Sequence, residues 1–254
     1  VLSDPVRPIL VAFRRGQDRR FFSTPWQVAI VRAVPVDGVQ SKADRKGRFE
    51  MAVAKHEPMS ADRFLAWIQI QEERYELADG LVVRMMAGAK ESHNVVTTNI
   101  VVSLAPHAKR HGCRTTSSDT AVRTGPSGIR FPDVVVDCGA PDANAKEASR
   151  PTIVVEVSSP GTLTTDLADK LEEYRGRDDI RVIALVEPDV VSVRVYRRDP
   201  NGIWSIEKYD ELADTIDLPE IGTHLPLSEI YDTLTPKQRP ELRMADHTTD
   251  AATR

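Results

Sequence analysis

The chain reads as an α/β protein, a mixed β-sheet flanked by helices. Three observations lead to that class. Segments with apolar residues at helical spacing alternate with strand-like runs, in the order helix, hairpin, helix, strands, helix, strands. DVVVDC and TIVVEVSS are short, continuous, β-branched runs, which suits strands buried on both faces. Asp79-Gly80 and Asp199-Pro200-Asn201-Gly202 mark turns between strand-like segments.

Each element has its own signal. Ser60 is a good N-cap for a helix with Phe64, Leu65, Trp67 and Ile68 on its apolar side. RYELADG is a strand entering a turn, and LVVRMM is its return strand. From about Ser92 to Arg110, Val96, Ile100 and Leu104 recur at helical spacing. Pro106 is expected to kink or end that helix, and Gly112 follows it. CRTTSSDTAVRT alternates polar and apolar residues as one strand, ahead of DVVVDC and TIVVEVSS. A helix from about Pro160 to Tyr174 comes next, then the strands RVIALVEP, VSVRVYRR and IWSIEKYD.

These elements lie in an expected domain over residues 51–234. Residues 235–254 are polar and predict a fraying, flexible tail. Residues 1–50 show no sustained period and carry ten Lys/Arg against five Asp/Glu. Met51 begins a run that reads like an ordinary start. The first 50 residues are therefore expected to be a disordered extension or upstream sequence read through, with a basic nucleic-acid arm as the sharper alternative.

Of 254 residues, 41% are hydrophobic, enough for a real core. No stretch approaches the ~20 apolar residues that span a bilayer, and the first residues lack a signal-peptide pattern. No membrane partner is expected. The two cysteines, Cys113 and Cys138, are too few for a disulfide framework and lack metal-ligand spacing, which predicts a reducing, cytoplasmic setting. Net charge is −4, but the first 50 residues are positive and the rest sits near −9. That argues against broad, non-specific affinity for DNA, which needs many phosphate-neutralising cations. No zinc cluster, Gly-rich phosphate loop or nucleophile elbow is present.

Two buried-looking strands each carry a carboxylate where an apolar residue is expected: Asp133 before VVVDC, and Glu156 within IVVEVSS. A charge there is costly unless paired or bound to metal, and Glu156 alone fits either. In the following helix, Leu163, Leu167, Leu171 and Tyr174 form an apolar stripe. Lys170 lies about 55° from its centre at ~100° per residue, with Asp166 near the same edge, whereas Asp169 and Glu172 point away. Lys170 therefore leans toward the protein body, as a site cation or as a lysine snorkelling along the stripe. Two carboxylates on adjacent strand ends can hold Mg²⁺ against a phosphodiester, with a lysine offsetting developing charge. Glu76 could add a third oxygen. His93 lines up with Val96, Ile100 and Leu104 and could reach the site, although a core role is the simpler reading. Tyr75, Ser158 and Ser159 could contact phosphate or serve packing and capping.

The ordered run RYELADG, MMAGAKESHN, FPDVVVDC, TIVVEVSSPGT and a later Lys and Tyr resembles the Uma family of endonucleases, part of the PD-(D/E)XK nuclease superfamily. The resemblance covers about Met59 to Tyr231. It implies a restriction-endonuclease-like fold and a metal-dependent endonuclease acting on nucleic acid, expected to be DNA. It also implies Asp133 and Glu156 as ligands of Mg²⁺ (Mn²⁺ also serving), Glu76 as a further acidic site residue, and a homodimer. The Val157 carbonyl is expected as an extra metal ligand. The superfamily pattern would place a lysine at position 158, where this chain has Ser158; in the Uma-like pattern the lysine comes from the next helix, matching Lys170. The competing functional readings are a catalytically inactive nuclease-fold protein that serves as a structural or DNA-binding partner, and a hydrolase of small phosphoesters.

Overall fold

A computed structural model of the protein describes residues 58–85, 88–158 and 164–238. Ser60 caps the first helix, α1 (Ala61–Trp67), and its hydroxyl accepts the Arg63 N–H at 3.3 Å. That bond satisfies one of the N–H groups a helix start leaves unpaired. A hairpin follows, β1 (Tyr75–Ala78) and β2 (Leu81–Arg84). Its two-residue turn needs positive φ at both positions, supplied by Asp79 at 45° and Gly80 at 78°.

Helix α2 (Glu91–Arg110) buries Val96, Ile100, Leu104 and Ala108. It runs through Pro106 instead of ending there. The bond that Pro106 cannot donate belongs to the carbonyl of Val102, a residue 66% exposed, so the missing bond falls on the solvent side of the helix. Next come β3 (Arg114–Ser117) and β4 (Val122–Gly125), which correct the reading of this stretch as one strand. Ser118 takes φ of 31°, outside the extended region, and the chain passes there from one sheet to another.

The remaining elements are β5 (Gly128–Arg130), β6 (Val134–Asp137), β7 (Pro151–Val157), α3 (Thr164–Arg175), β8 (Val182–Val186), β9 (Val193–Arg198) and β10 (Trp204–Tyr209). After them lie β11 (Thr215–Leu218), β12 (Thr223–Pro226) and the short α4 (Leu227–Ile230). The sequence reading did not anticipate β5 or these last three.

The strands form two principal sheets, not the single sheet expected. One has the order β2-β1-β5-β4 and the other β10-β9-β8-β7-β6-β3; β11 and β12 pair separately. In the six-stranded sheet only β7 and β8 run parallel, joined through α3. Side chains alternate along β7: Ile153, Val155 and Val157 enter the core with α2, whereas Val154 enters the core that holds Tyr174 of α3. A third cluster joins α1 to the four-stranded sheet through Phe64, Leu77 and Ile129.

The β3–β6 pairing sets Arg114 opposite Asp137. Carried one residue further, that register brings Cys113 opposite Cys138, and the two are disulfide-bonded with Cα atoms 4.1 Å apart. The sequence reading did not anticipate this bond. Past position 234 the chain stays attached: Lys237 bridges to Val190, and its N–H donates to the Asp189 carbonyl at 3.0 Å. The expectations for residues 1–57, 86–87, 159–163 (Ser159 among them) and 239–254 lie outside the described residues. Among the described residues, no helix is long and apolar enough to cross a membrane.

Candidate active site

Strand register assembles the site. The β6–β7 ladder pairs Val134 with Val155, so one step further Asp133 stands opposite Glu156. Side chains directly opposite in an antiparallel pair share a face. Asp133 sits on the bend before β6. Its Oδ2 accepts the Val157 N–H at 2.8 Å, and its Oδ1 lies 3.3 Å from His93 Nε2. Glu156 is buried, and its Oε1 accepts the Tyr174 hydroxyl at 2.6 Å.

The four-stranded sheet contributes a second acid. Leu77 pairs with Ile129, which sets Glu76 opposite Arg130. Arg130 Nη1 donates to Glu76 Oε2 at 3.1 Å, and the Phe131 N–H donates to Oε1 at 3.1 Å. Arg130 also grips Glu173 of α3 through Nη2 and Nε, at 2.6 and 2.9 Å.

Helix α3 closes the cluster with residues spaced by four, which stack on one face. Lys170 is 8% exposed; its Nζ donates to Glu76 Oε1 at 3.0 Å and lies 3.8 Å from Glu156 Oε1. Tyr174, one turn on, is fully buried. Asp169 and Glu172 face solvent. Asp166, one turn before Lys170, is only half-buried and lies 3.8 Å from Arg130.

Electrostatics follow from this packing. Burial pushes the Glu156 carboxyl up to about 7; Lys170 opposes that rise, and Asp133 and Glu76 reinforce it. Burial works against the Lys170 charge, but Glu156 and Glu76 outweigh it and hold its pKa above the ordinary lysine value. Burial, then the charges of Glu156 and Glu76, hold the Tyr174 phenol well above its usual range, so it remains a donor. His93 is raised, chiefly by its interaction with Asp133 and against the effect of burial.

Five carboxylates, Glu76, Asp133, Glu156, Asp166 and Glu173, thus lie around two buried cations, Arg130 and Lys170. The surplus is negative, as a divalent cation would require. Among the described residues no three His, Cys, Asp or Glu side chains form a ready-made metal cage. A pair of hard oxygen donors suits Mg²⁺, which binds through one or two carboxylates and keeps several waters. Among the described residues no donor reaches Glu156 Oε2.

The structure brings Glu76, Asp133, Glu156 and Lys170 into one cluster, and Val157 joins through its backbone. Ser158 has its hydroxyl on Glu187, and Tyr75 donates to Glu73 at 3.0 Å. Two further members, Arg130 and Tyr174, received no site role from the sequence. Arg130 carried a usable signal, a charge held between Ile129 and Phe131 just before the Pro-Asp pair. Tyr174 completes the apolar stripe, and its place one turn from Lys170 is the signal for its site role. His93, which the sequence places within reach of the site, joins it through Asp133.

The fold is that of restriction-endonuclease-like α/β proteins. The chain belongs to the Uma2 family, described as "Putative restriction endonuclease", whose family model matches residues 61–228. An uncharacterized protein of Synechocystis sp., slr1290, is 27% identical over 175 residues, covering 68% of this chain and 91% of that protein. A crystal structure from Anabaena variabilis, of "a putative nuclease belonging to DUF820", is 19% identical with a TM-score of 0.55, covering 68% of this chain and 97% of the other. At that identity the likeness shows the fold.

Proposed function

We propose that the protein is a metal-dependent endonuclease that hydrolyses phosphodiester bonds of nucleic acid, with DNA as its substrate. The observation that carries this reading is the buried Lys170 ammonium, 3.8 Å from Glu156, in a cluster whose carboxylates outnumber its cations. Membership of a family described by restriction endonuclease activity points the same way.

Asp133 and Glu156 would hold Mg²⁺, or Mn²⁺ in its place, with the Val157 carbonyl as a third protein oxygen. When bound, the ion supplies a water of lowered pKa and offsets charge on the phosphate. The chain's own residues do the rest. The Val157 N–H fixes one oxygen of Asp133. Tyr174 fixes one oxygen of Glu156, and among the described residues no donor reaches the other. Glu76 holds Lys170 at 3.0 Å, and is itself held by Arg130 and the Phe131 N–H. Glu76 is therefore an anchor for the lysine, and Lys170 is the cation aimed at charge developing on the scissile phosphate.

The test is direct. Purified protein incubated with plasmid DNA and Mg²⁺ or Mn²⁺ should cut it, chelation should stop cutting, and Asp133→Ala should abolish it. A wild type that cuts no nucleic acid with either ion would leave a nuclease-fold binding protein. We further propose a homodimer, because cutting both strands of a duplex is simplest with two sites related by a two-fold axis. Light scattering should give twice the chain mass of 28.2 kDa; a monomer at micromolar concentration would contradict it.

A further inference from the structure

We infer that His93 is a positioning residue for Asp133: its imidazole steadies one carboxylate oxygen while the Val157 N–H holds the other, so that Asp133 meets the metal in one orientation. The inference rests on the metal-site reading above. Asp133 stands on a bend outside the strand ladder, so strand pairing does not fix its side chain. Two contacts from different elements do. Val157 of β7 donates to Oδ2 at 2.8 Å, and His93 Nε2, from the first turn of α2, lies 3.3 Å from Oδ1. The imidazole is largely buried, with its side chain 13% exposed.

Two more features favour a role for this ring beyond packing. Its Nδ1 is buried and has no partner among the described residues. An apolar side chain would fill the same space without leaving a nitrogen unsatisfied, so the useful end of the ring is the one at Asp133. The start of α2 is also pinned: Lys90 Nζ and Ser92 Oγ reach the two oxygens of Asp189 at 2.7 and 2.9 Å. His93 thus projects from a fixed turn, and each oxygen of Asp133 keeps a lone pair for the ion. Partners that orient a metal ligand typically change metal affinity by about 10–100-fold.

Calorimetric titration of the full chain with Mn²⁺ tests this. His93→Leu should bind Mn²⁺ about 10–100-fold more weakly, at a melting temperature close to wild type. His93→Gln places an amide nitrogen near the Nε2 position and should bind nearly as well as wild type. His93→Asn, whose amide falls short, should be weakened like His93→Leu; the Gln and Asn pair decides the matter if the leucine variant does not fold. Equal affinity in wild type and His93→Leu, or in the Gln and Asn variants, would overturn the inference. If Asp133→Ala loses Mn²⁺ while the His93 variants keep it, only the role of His93 falls. If wild type takes up no Mn²⁺, or Asp133→Ala binds it unchanged, the metal-site reading falls as well.

Discussion

Lys170→Ala should lose about 10²–10³-fold in cleavage rate, the usual loss when one preorganised electrostatic contact to a transition state is removed, while it still binds Mn²⁺. The contact strengthens only as charge develops on the phosphate, so turnover should fall more than metal affinity. The substitution is not neutral for stability. Lys170 is buried between Glu76 and Glu156, and removing one partner of a buried ion pair typically costs about 3–5 kcal/mol. Rates should therefore be compared well below the variant's own melting temperature. Lys170→Met keeps most of the stem, and an equal loss of rate there would separate the charge from the cavity. Lys170→Arg should recover little, because a planar guanidinium does not fit the space of a compact ammonium. Wild-type cleavage by Lys170→Ala would reduce the lysine to a counter-ion for Glu76.

The second large effect concerns pH. With Glu156 pushed up to about 7, its carboxyl is mostly protonated at pH 6 and mostly ionised at pH 8. The ionised form binds a cation, so Mn²⁺ affinity should rise roughly tenfold per pH unit as the pH approaches 7, then level off. Glu156→Gln should bind weakly and lose this dependence. The stability of the metal-free protein should move the opposite way. A carboxyl raised above its ordinary 4.5 in the folded state contributes stability that is full below 4.5 and lost as pH rises through 7. Calorimetry across pH 6 to 8 decides it; a flat affinity would mean that Glu156 does not carry the ion.

Much of the site's skeleton was legible in the sequence because buried charge is conspicuous. Glu156 stands out among valines, and Asp133 opens a run of them. Lys170 can be assigned a face because helical geometry is regular. What stayed hidden depended on pairing across distance. Arg130 lies on a three-residue strand, too short to show a period. The chain's passage between sheets at Ser118 depends on one positive φ at a residue whose type does not demand it. Cys113 and Cys138 are 25 residues apart and meet only through the β3–β6 register. The elements after Tyr209 are short, and the sequence reading assigned them no period.

The two sheets meet at this cluster. Only Phe131 and Pro132 separate Arg130, at the end of β5, from Asp133 at the mouth of β6. The lysine's closest counter-charge, Glu76, belongs to one sheet, whereas Asp133 and Glu156, the proposed metal ligands, lie on the other. Cleavage at the proposed site would therefore report on how firmly the sheets are docked. The four-stranded sheet rests on the small cluster around Phe64, Leu77 and Ile129 and reaches a second core only through Val122, while the six-stranded sheet spans two larger cores. Partial opening confined to the weaker sheet would strip Lys170 of its anchor and leave the rest of the domain folded. On heating, the proposed cleavage should then be lost below the melting temperature.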